Sequence, residues 1–387
     1  MNMKRFVFII SALSALFLAG CNNAEYQPKN NILYLSDAAQ GTKSSTVEKS
    51  GGVDLPILVR LAQKATEDVE VKVNFNPAIL DQLNSAGGTD YLHVEEGLLP
   101  KDASVTIPAG SVSASYQLHI DDFETNGATY AIAVQLGDVV RGGDIPVSSQ
   151  QGHYVYILSE PLIVSVPVMQ PAGSEMVTAA PAGDWGIQTE DWTIEAWVRM
   201  NGFSINNQAL FDSGNRDKGC EIYIRFGDAN RPYNYLQAKI LGHNGMDSAR
   251  DFDPNKWYHL AIVCTKSDKT VRIYRNGELI ISEGVTYPAD GIVHISHFDM
   301  ISSSRQYFRN ECAMSQVRLW KVGRTQQEIQ NNMYFSVNAK NPDLIAYWPM
   351  DEGEGTTFKD ITGNGHDATT ESSLVRRWEH DIRFDGK

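Results

Sequence analysis

Basic residues are in the minority in this chain. Lys and Arg number 33 against 47 Asp and Glu, a formal net charge of −14. Nucleic acid and anionic lipid surfaces both call for a basic patch, so neither suits a chain this acidic. Cysteine is also scarce, with four residues. An exported fold stapled by disulfides carries more of them, and in even number. Long apolar runs are missing: the stretch from Phe6 to Leu18 falls short of the roughly 20 residues that span a bilayer. No Gly-x-Ser-x-Gly, no His-Glu-x-x-His and no phosphate-cradling glycine loop occurs, which removes the common routes to serine, zinc and nucleotide chemistry. There is no fixed-period repeat, heptad array or low-complexity tract.

What the N-terminus does contain is ordered. Met1, Lys4 and Arg5 precede the apolar run, and Leu18-Ala19-Gly20 lead into Cys21. A positive end, a short apolar stretch and small residues make a secretory signal. Cys21 directly after Leu-Ala-Gly resembles the lipobox of bacterial lipoproteins. The resemblance implies that residues 1–20 are removed, that Cys21 carries the acyl chains, and that the rest folds outside the cytoplasm. It implies a lipid anchor in the outer membrane of a Gram-negative envelope, surface-exposed in our reading. Loss of Lys4 and Arg5 takes the net charge to −16. Residues 21–30 are polar, carry Pro28 and read as a tether.

Beyond the tether the pattern is that of strands. In residues 31–160, β-branched and aromatic segments at Asn31–Ser36, Leu55–Leu61, Val69–Phe75, Ser104–Ile107, Ser113–Ile120, Tyr130–Leu136 and His153–Leu158 alternate with Gly-Gly punctuation. Seven short strands at this spacing predict a β-sandwich, with one helical turn near Pro77–Asn84. Glu160-Pro161 to Pro171 marks a boundary, and residues 163–387 are again strand-rich. Trp257–Thr265 is apolar on both faces and predicts a central strand. Asn276-Gly277 between two β-rich runs predicts a hairpin. Thr325–Met333 predicts the one short helix, with Thr325 and Glu328 as a capping box. Cys220 shares a strand face with Ile222, Ile224 and Phe226, and Cys264 one with Leu260 and Ile262. Both read as small buried hydrophobes, so three free thiols, Cys312 included, are preferred over one disulfide.

Two resemblances follow from quoted segments. Asn76-Pro77 to Leu83-Asn84, Thr106-Ile107-Pro108-Ala109-Gly110-Ser111, Ala128 to Val134 and Pro146-Val147-Ser148 resemble a domain of unknown function found near the N-terminus of gut-anaerobe glycan-utilisation lipoproteins. That implies a spacer or adaptor. Asp191 to Val198, Trp257 to Ala261, Val271 to Tyr274 with Asn276-Gly277, and Gln316 to Trp320 with Arg324-Thr325 resemble laminin-G-like, concanavalin A-type jelly rolls. Tyr347 to Gly353 and Asp360 to Gly365 are similar to segments that often open that pattern, yet here they close it. The resemblance therefore implies a circularly permuted jelly roll complete within residues 163–387.

For chemistry, the concanavalin A-type glucanases place Glu-x-Asp-x-x-Glu on one strand, and no such triplet occurs here. Glu195 stands alone in its strand, and Asp351, Glu352 and Glu354 read as solvated loop acids. Sugar binding needs an aromatic face with planar polar partners. The candidates are Asp212, Asn215, Arg216, Arg231, Tyr233, Tyr235, His243 and Asn244, with Trp185, Tyr307 and Arg309 in loops. Trp197, Trp257, Trp320, Trp348 and Tyr274 are assigned to the core; His294 and His297 could share a metal, with structural roles the preferred reading. Asp360-x-Thr362-x-Asn364-Gly365 with Glu371 twelfth comes close to a calcium loop, and a glycine turn held by its own hydrogen bonds is the competing reading. No cofactor is required on this reading; Ca2+ is the one to test.

The expectation is a two-domain all-β surface lipoprotein, a β-sandwich carrying a concanavalin A-like jelly roll. Resemblance implies non-catalytic capture of an oligosaccharide or glycoprotein glycan for neighbouring envelope enzymes and transporters. A glycoside hydrolase with an unorthodox carboxylate pair and an adhesion or protein-assembly module are the alternatives. No nucleic acid partner is expected, and the membrane is met through the anchor alone.

Overall fold

The computed structural model describes residues 31–46, 52–87, 89, 91–123, 125, 128–159 and 162–385. The signal segment, the tether and Cys21 lie outside the described residues. The protein is nearly all β, and its buried side chains form two large apolar clusters.

The first cluster belongs to a sandwich. A three-stranded sheet, in the order Leu33–Leu35, Val53–Leu61, Ser113–Ile120, faces a six-stranded one. In the larger sheet Tyr130–Arg141 is central, flanked by His153–Ser159 and Val69–Phe75. Val53–Leu61 shows why these residues make strands: Val53, Leu55, Ile57, Val59 and Leu61 are buried while the residues between them are less so. The helical turn expected near Pro77 is longer than the sequence suggested. Helix α1 spans Pro77–Gly87. Asn76 Oδ1 accepts the Ala78 N–H, Pro77 supplies a fixed φ at the first turn, and Leu80 plugs onto Tyr91, Ala131, Ala133, Val155 and Ile157 on the outer face of the sheet. That extra burial lets α1 outgrow a turn and gives two α-helices among the described residues where one was expected.

The second cluster fills a jelly roll of two eight-stranded sheets. The back sheet runs Glu278–Gly284, Thr270–Arg275, Tyr258–Thr265, Trp192–Met200, Cys312–Trp320, Ile163–Met169, Val375–Arg383, with Leu344–Trp348 also paired to Cys312–Trp320. The front sheet runs His243–Asp247, Leu236–Ile240, Ile222–Phe226, Gln208–Ser213, Phe298–Met300, Val177–Ala179, Ala368–Thr369, Thr357–Phe358. Ile163–Met169 pairs with Val375–Arg383, and Val177–Ala179 with Ala368–Thr369. The two ends of this unit are therefore knitted into the same sheets, as a permuted closed fold requires.

Local signals act where the sequence placed them. Asn276 and Gly277 take φ of 51° and 76°, the two positive values that a tight right-twisting hairpin needs. Helix α2 spans Gln326–Asn332, with Thr325 as N-cap and the Glu328 capping box formed. Gln326 and Gln330 donate to the Gly277 carbonyl at 2.8 and 3.0 Å, which seats α2 on the hairpin. Gly277 lies so close to α2 that a Cβ would meet Gln330 Cγ at 2.7 Å.

Helix α2 and the segment after it cover much of the outer face of the back sheet, where Trp197, Trp320 and Tyr274 are buried in satellite clusters. Trp348 lies in the main core. Trp257 departs from its core assignment: it is only half-buried, edge-on to Phe384 and beneath Arg199, because it precedes its strand. Cys220, Cys264 and Cys312 are free and buried. Burial pushes the Cys264 thiol up to about 12, against a Tyr287 hydrogen bond that pulls it down.

Candidate functional site

The outer face of the front sheet is lined by polar side chains. In each strand alternate residues point into the core: Ala238 and Ile240, Ile222 and Ile224, Phe298 and Met300, Val177 and Ala179. The residues between them share one register line across the sheet. Asn244 pairs with Lys239, Lys239 with Tyr223, Tyr223 with Asp212, Asp212 with Asp299, Asp299 with Thr178, Thr178 with Thr369 and Thr369 with Thr357. Eight strands thus contribute one continuous polar row. Thr178, Thr357 and Thr369 are exposed, and Lys239, Tyr223, Asp212 and Asp299 are half-buried. The side chain of Asn244 lies outside those described.

At the centre of the row two carboxylates sit opposite each other. Asp212 is held by Arg216 at 2.7 Å, and Arg216 in turn by Glu221 at 3.2 Å. His297 Nε2 lies 3.5 Å from Asp212 and 4.0 Å from Asp299. Burial raises the Asp299 carboxyl above its ordinary value, with Asp212 adding to it and a Thr178 hydrogen bond opposing. Burial also raises the Tyr223 phenol, which stays a neutral group beside the pair. A second polar line lies next to the first. Arg225 Nε donates to Gln237 at 2.8 Å, Gln237 donates to Asp247 at 2.8 Å and Asp228 at 3.1 Å, and Asn207 accepts from both Arg225 and Tyr223. These donors and acceptors are tied to one another, which orients this second line of side chains.

Residues 172–330 match a laminin G-type family model described as the concanavalin A-like lectin/glucanases superfamily. The chain carries a concanavalin A-like domain. The match stops at 330, while the strands from Leu344 to Arg383 complete both sheets of that domain. Residues 26–141 match a second family model, described as an N-terminal domain. Among solved structures, a candidate carbohydrate-binding protein from Bacteroides ovatus is 19% identical, with a TM-score of 0.52 over 91% of this chain and 99% of that one. A heptameric pentraxin from Limulus polyphemus is 10% identical, with a TM-score of 0.37 over 55% of this chain and 97% of that one. No curated protein matches the chain.

The concanavalin A-like domain gathers only part of the expected site. Asp212, Asn215 and Arg216 come together at one end of the front sheet. Trp185 joins them through its backbone N–H, which donates to Ser296 O beside His297, while its indole N–H donates to Pro181 O. One face of the Trp185 ring stacks on His366 at 3.9 Å, and the ring is half-buried. Arg231, Tyr233 and Tyr235 lie in the loop at the opposite end, where Arg231 packs over the Tyr233 ring. Tyr235 is not a surface residue: it is 1% exposed, and its hydroxyl accepts the Asp228 N–H. It immediately precedes the strand Leu236–Ile240, and its ring is covered by the Arg250 guanidinium at 4.7 Å. Tyr307 is exposed on a different loop, and Arg309 donates to Gln306 O within that loop. His243 is committed to Glu283 at 3.0 Å. The sequence reading missed Tyr223, Lys239, Asp299 and Thr178. Their alternation with buried residues was the available signal.

The Asp360 loop is closed by its own hydrogen bonds. Asp360 Oδ1 accepts from Tyr347 N–H, Thr362 N–H and the Thr362 hydroxyl, and Oδ2 from His366 N–H. Asn364 donates to the Leu344 and Ile345 carbonyls. Glu371 is exposed, and no group of three His, Cys, Asp or Glu among the described residues is arranged to hold a metal ion.

Glu195 is a different matter from the lone strand acid the sequence suggested. It is fully buried, with Arg324 Nε at 2.8 Å, Arg318 Nη1 at 3.3 Å and His259 Nε2 at 3.7 Å. Buried beneath α2, this cluster ties the back sheet to the helix, with Arg324 donating to Glu328 O.

Proposed function

We propose that this protein binds carbohydrate without turning it over, on the outer face of the front sheet of its concanavalin A-like domain. The observation that carries the reading is the polar row from Lys239 through Tyr223, Asp212 and Asp299 to Thr178, Thr369 and Thr357 on a face that stays open. Sugar hydroxyls are matched by planar carboxylate, amide and guanidinium groups, and their CH faces by Tyr223 and Trp185. The likeness to a Bacteroides ovatus candidate carbohydrate-binding protein supports this reading through the fold. A lipid anchor at Cys21 and the sandwich unit would hold the site at the outer surface of the envelope. There it captures oligosaccharides for neighbouring enzymes and transporters, gaining effective concentration rather than tight single-site affinity.

A glycan array screened with residues 22–387 tests the proposal. Binding to one glycan class, reduced at least tenfold by Tyr223→Ala or Asp212→Ala and left intact by Arg231→Ala, is the expected result. A blank array, or binding indifferent to both front-face changes, sinks it.

One observation favours a second reading. Asp212 and Asp299 are direct cross-strand neighbours on one face, a placement that sets two carboxyls side by side, as retaining glycosidases need at about 5–5.5 Å. Asp299, with its raised carboxyl, would be the acid and Asp212 the nucleophile. Release of reducing ends from a bound glycan, abolished by Asp299→Asn, would replace the binding proposal with hydrolysis.

A further inference from the structure

The concanavalin A-like domain and the sandwich meet at a cleft with two lobes, both lined by Thr89, Tyr91 and Glu328. The larger has a volume of about 660 Å³, within the range of ligand pockets. Its wall on the sandwich side is mainly apolar, built by Ile79, Leu83 and Ala86 of α1 with Val155, and it also carries Gln82, Gln150 and His153. The smaller, of about 120 Å³, is lined by Trp320, Arg324, Asn338 and Asn341.

The small lobe has a surplus of donors. Trp320 is 1% exposed, and its indole N–H has no partner. Leaving such a donor dry and unpaired costs about 1–3 kcal/mol. Asn338 and Asn341 spend their carbonyl oxygens on Lys340 N–H and Asp343 N–H, which leaves the amide NH2 groups for the cavity. The charges are already matched. Arg318 and Arg324 share Glu195, and Glu328, held by the Thr325 N–H and hydroxyl in the capping box, balances the second guanidinium. A ligand suited to this cleft offers acceptor oxygens to the small lobe, an apolar body to the large one, and no negative charge beside Glu328.

We propose that the cleft between the two units is a binding site for an uncharged amphiphile with a small oxygen-rich head and an aliphatic body. It is separate from the open face of the front sheet and does not depend on the carbohydrate reading. Binding there would also tie the sandwich to α2.

The probe is 1-monooctanoylglycerol, titrated calorimetrically below its critical micelle concentration into residues 22–387. Saturable 1:1 binding is expected. Octanoate, with the same chain length and a charged head, should bind at least tenfold more weakly. Leu83→Trp and Ala86→Phe, which fill the large lobe from two positions of α1, should each weaken binding at least tenfold; using both guards against one failing to fold. Asn341→Asp keeps the acceptor for Asp343 N–H and removes the NH2 donor, and should cost about fivefold. Tyr223→Ala on the front sheet should leave the titration unchanged. No saturable heat, equal binding of octanoate, or full binding by the two cleft-filling variants overturns the proposal.

Discussion

Replacing Glu195 by Gln isolates one charge at the centre of the concanavalin A-like domain. The carboxylate is fully buried between two guanidinium groups, Arg324 at 2.8 Å and Arg318 at 3.3 Å. Those arginines do further work at the back of the sheet. Arg318 donates to the Asn332 and Phe335 carbonyls at 3.2 and 2.6 Å, and Arg324 donates to Glu328 O while lying 4.1 Å over the Trp320 ring. Glutamine keeps the shape and removes the charge, so two cations stay buried with only neutral acceptors, backbone carbonyls and the amide oxygens of Gln316 and of the new side chain, to meet them. Removing one partner of such a cluster costs about 3–5 kcal/mol. For a unit of this size each kcal/mol moves Tm by about 2–4 °C, so the drop should be roughly 6–20 °C. All seven tryptophans lie between Trp185 and Trp378, so fluorescence follows this unit and not the sandwich. Lys256→Ala, which breaks the solvated 3.9 Å contact with Asp253, is the control and should change stability by less than about 0.5 kcal/mol. If Glu195→Gln unfolds within about 1 kcal/mol of the wild type, the cluster is hydrated or its charges are already offset, and the argument from burial fails.

Three further outcomes are expected. His259 is buried, and desolvation, with Arg318 and Arg324 adding, holds its pKa well below the ordinary value of 6.5. The unfolded chain therefore binds a proton that the folded one refuses, and stability falls as pH drops below about 6.5, by up to about 1.4 kcal/mol per pH unit until the folded pKa is reached; His259→Gln should flatten that slope in urea titrations between pH 5 and 6.5, and an unchanged slope would assign it elsewhere. Asp360→Ala strands the donors of Tyr347, Thr362 and His366 and should cost about 3 kcal/mol or more, since each buried unpaired donor costs about 1–3 kcal/mol; the wild-type melting temperature should be the same in calcium and in chelator, and a calcium-dependent rise would make the loop a metal site. Cys21→Ala should abolish incorporation of labelled palmitate and release the protein from the membrane fraction of expressing cells, whereas retention would remove the anchor from the proposal.

Much of the fold is written in local pattern. Alternation over Val53–Leu61 gives a strand with one buried face, and Asn276-Gly277 supplies the two positive φ values of a hairpin. Thr325 with Glu328 starts α2 by satisfying donors that the helix itself leaves open. Each of these depends on residues a few positions apart, so single-chain reading reaches them. Helix α1 was underestimated because its length rests on Leu80 burying against a sheet made of residues far along the chain.

The candidate site shows where that reading stops. Residue type and local density drew attention to the segment from Asp212 to Asn244, and two ends of one sheet then divided its members. Tyr235 was chosen for its chemistry and turned out to be packing, because a phenol can cap a backbone N–H as readily as it can meet a sugar. Glu195 looked isolated since its partners, His259, Arg318 and Arg324, come from other parts of the chain. The sequence alone determined which residues alternate, where the Asn276-Gly277 hairpin and the start of α2 fall, and that Cys220 and Cys264 sit on buried strand faces. Only the tertiary structure decided that Thr178, Asp212, Tyr223, Asp299 and Thr369 share one line. Strand register is set by pairing between distant segments, and a shift of one residue in any strand would have turned that strand's polar side chains into the core.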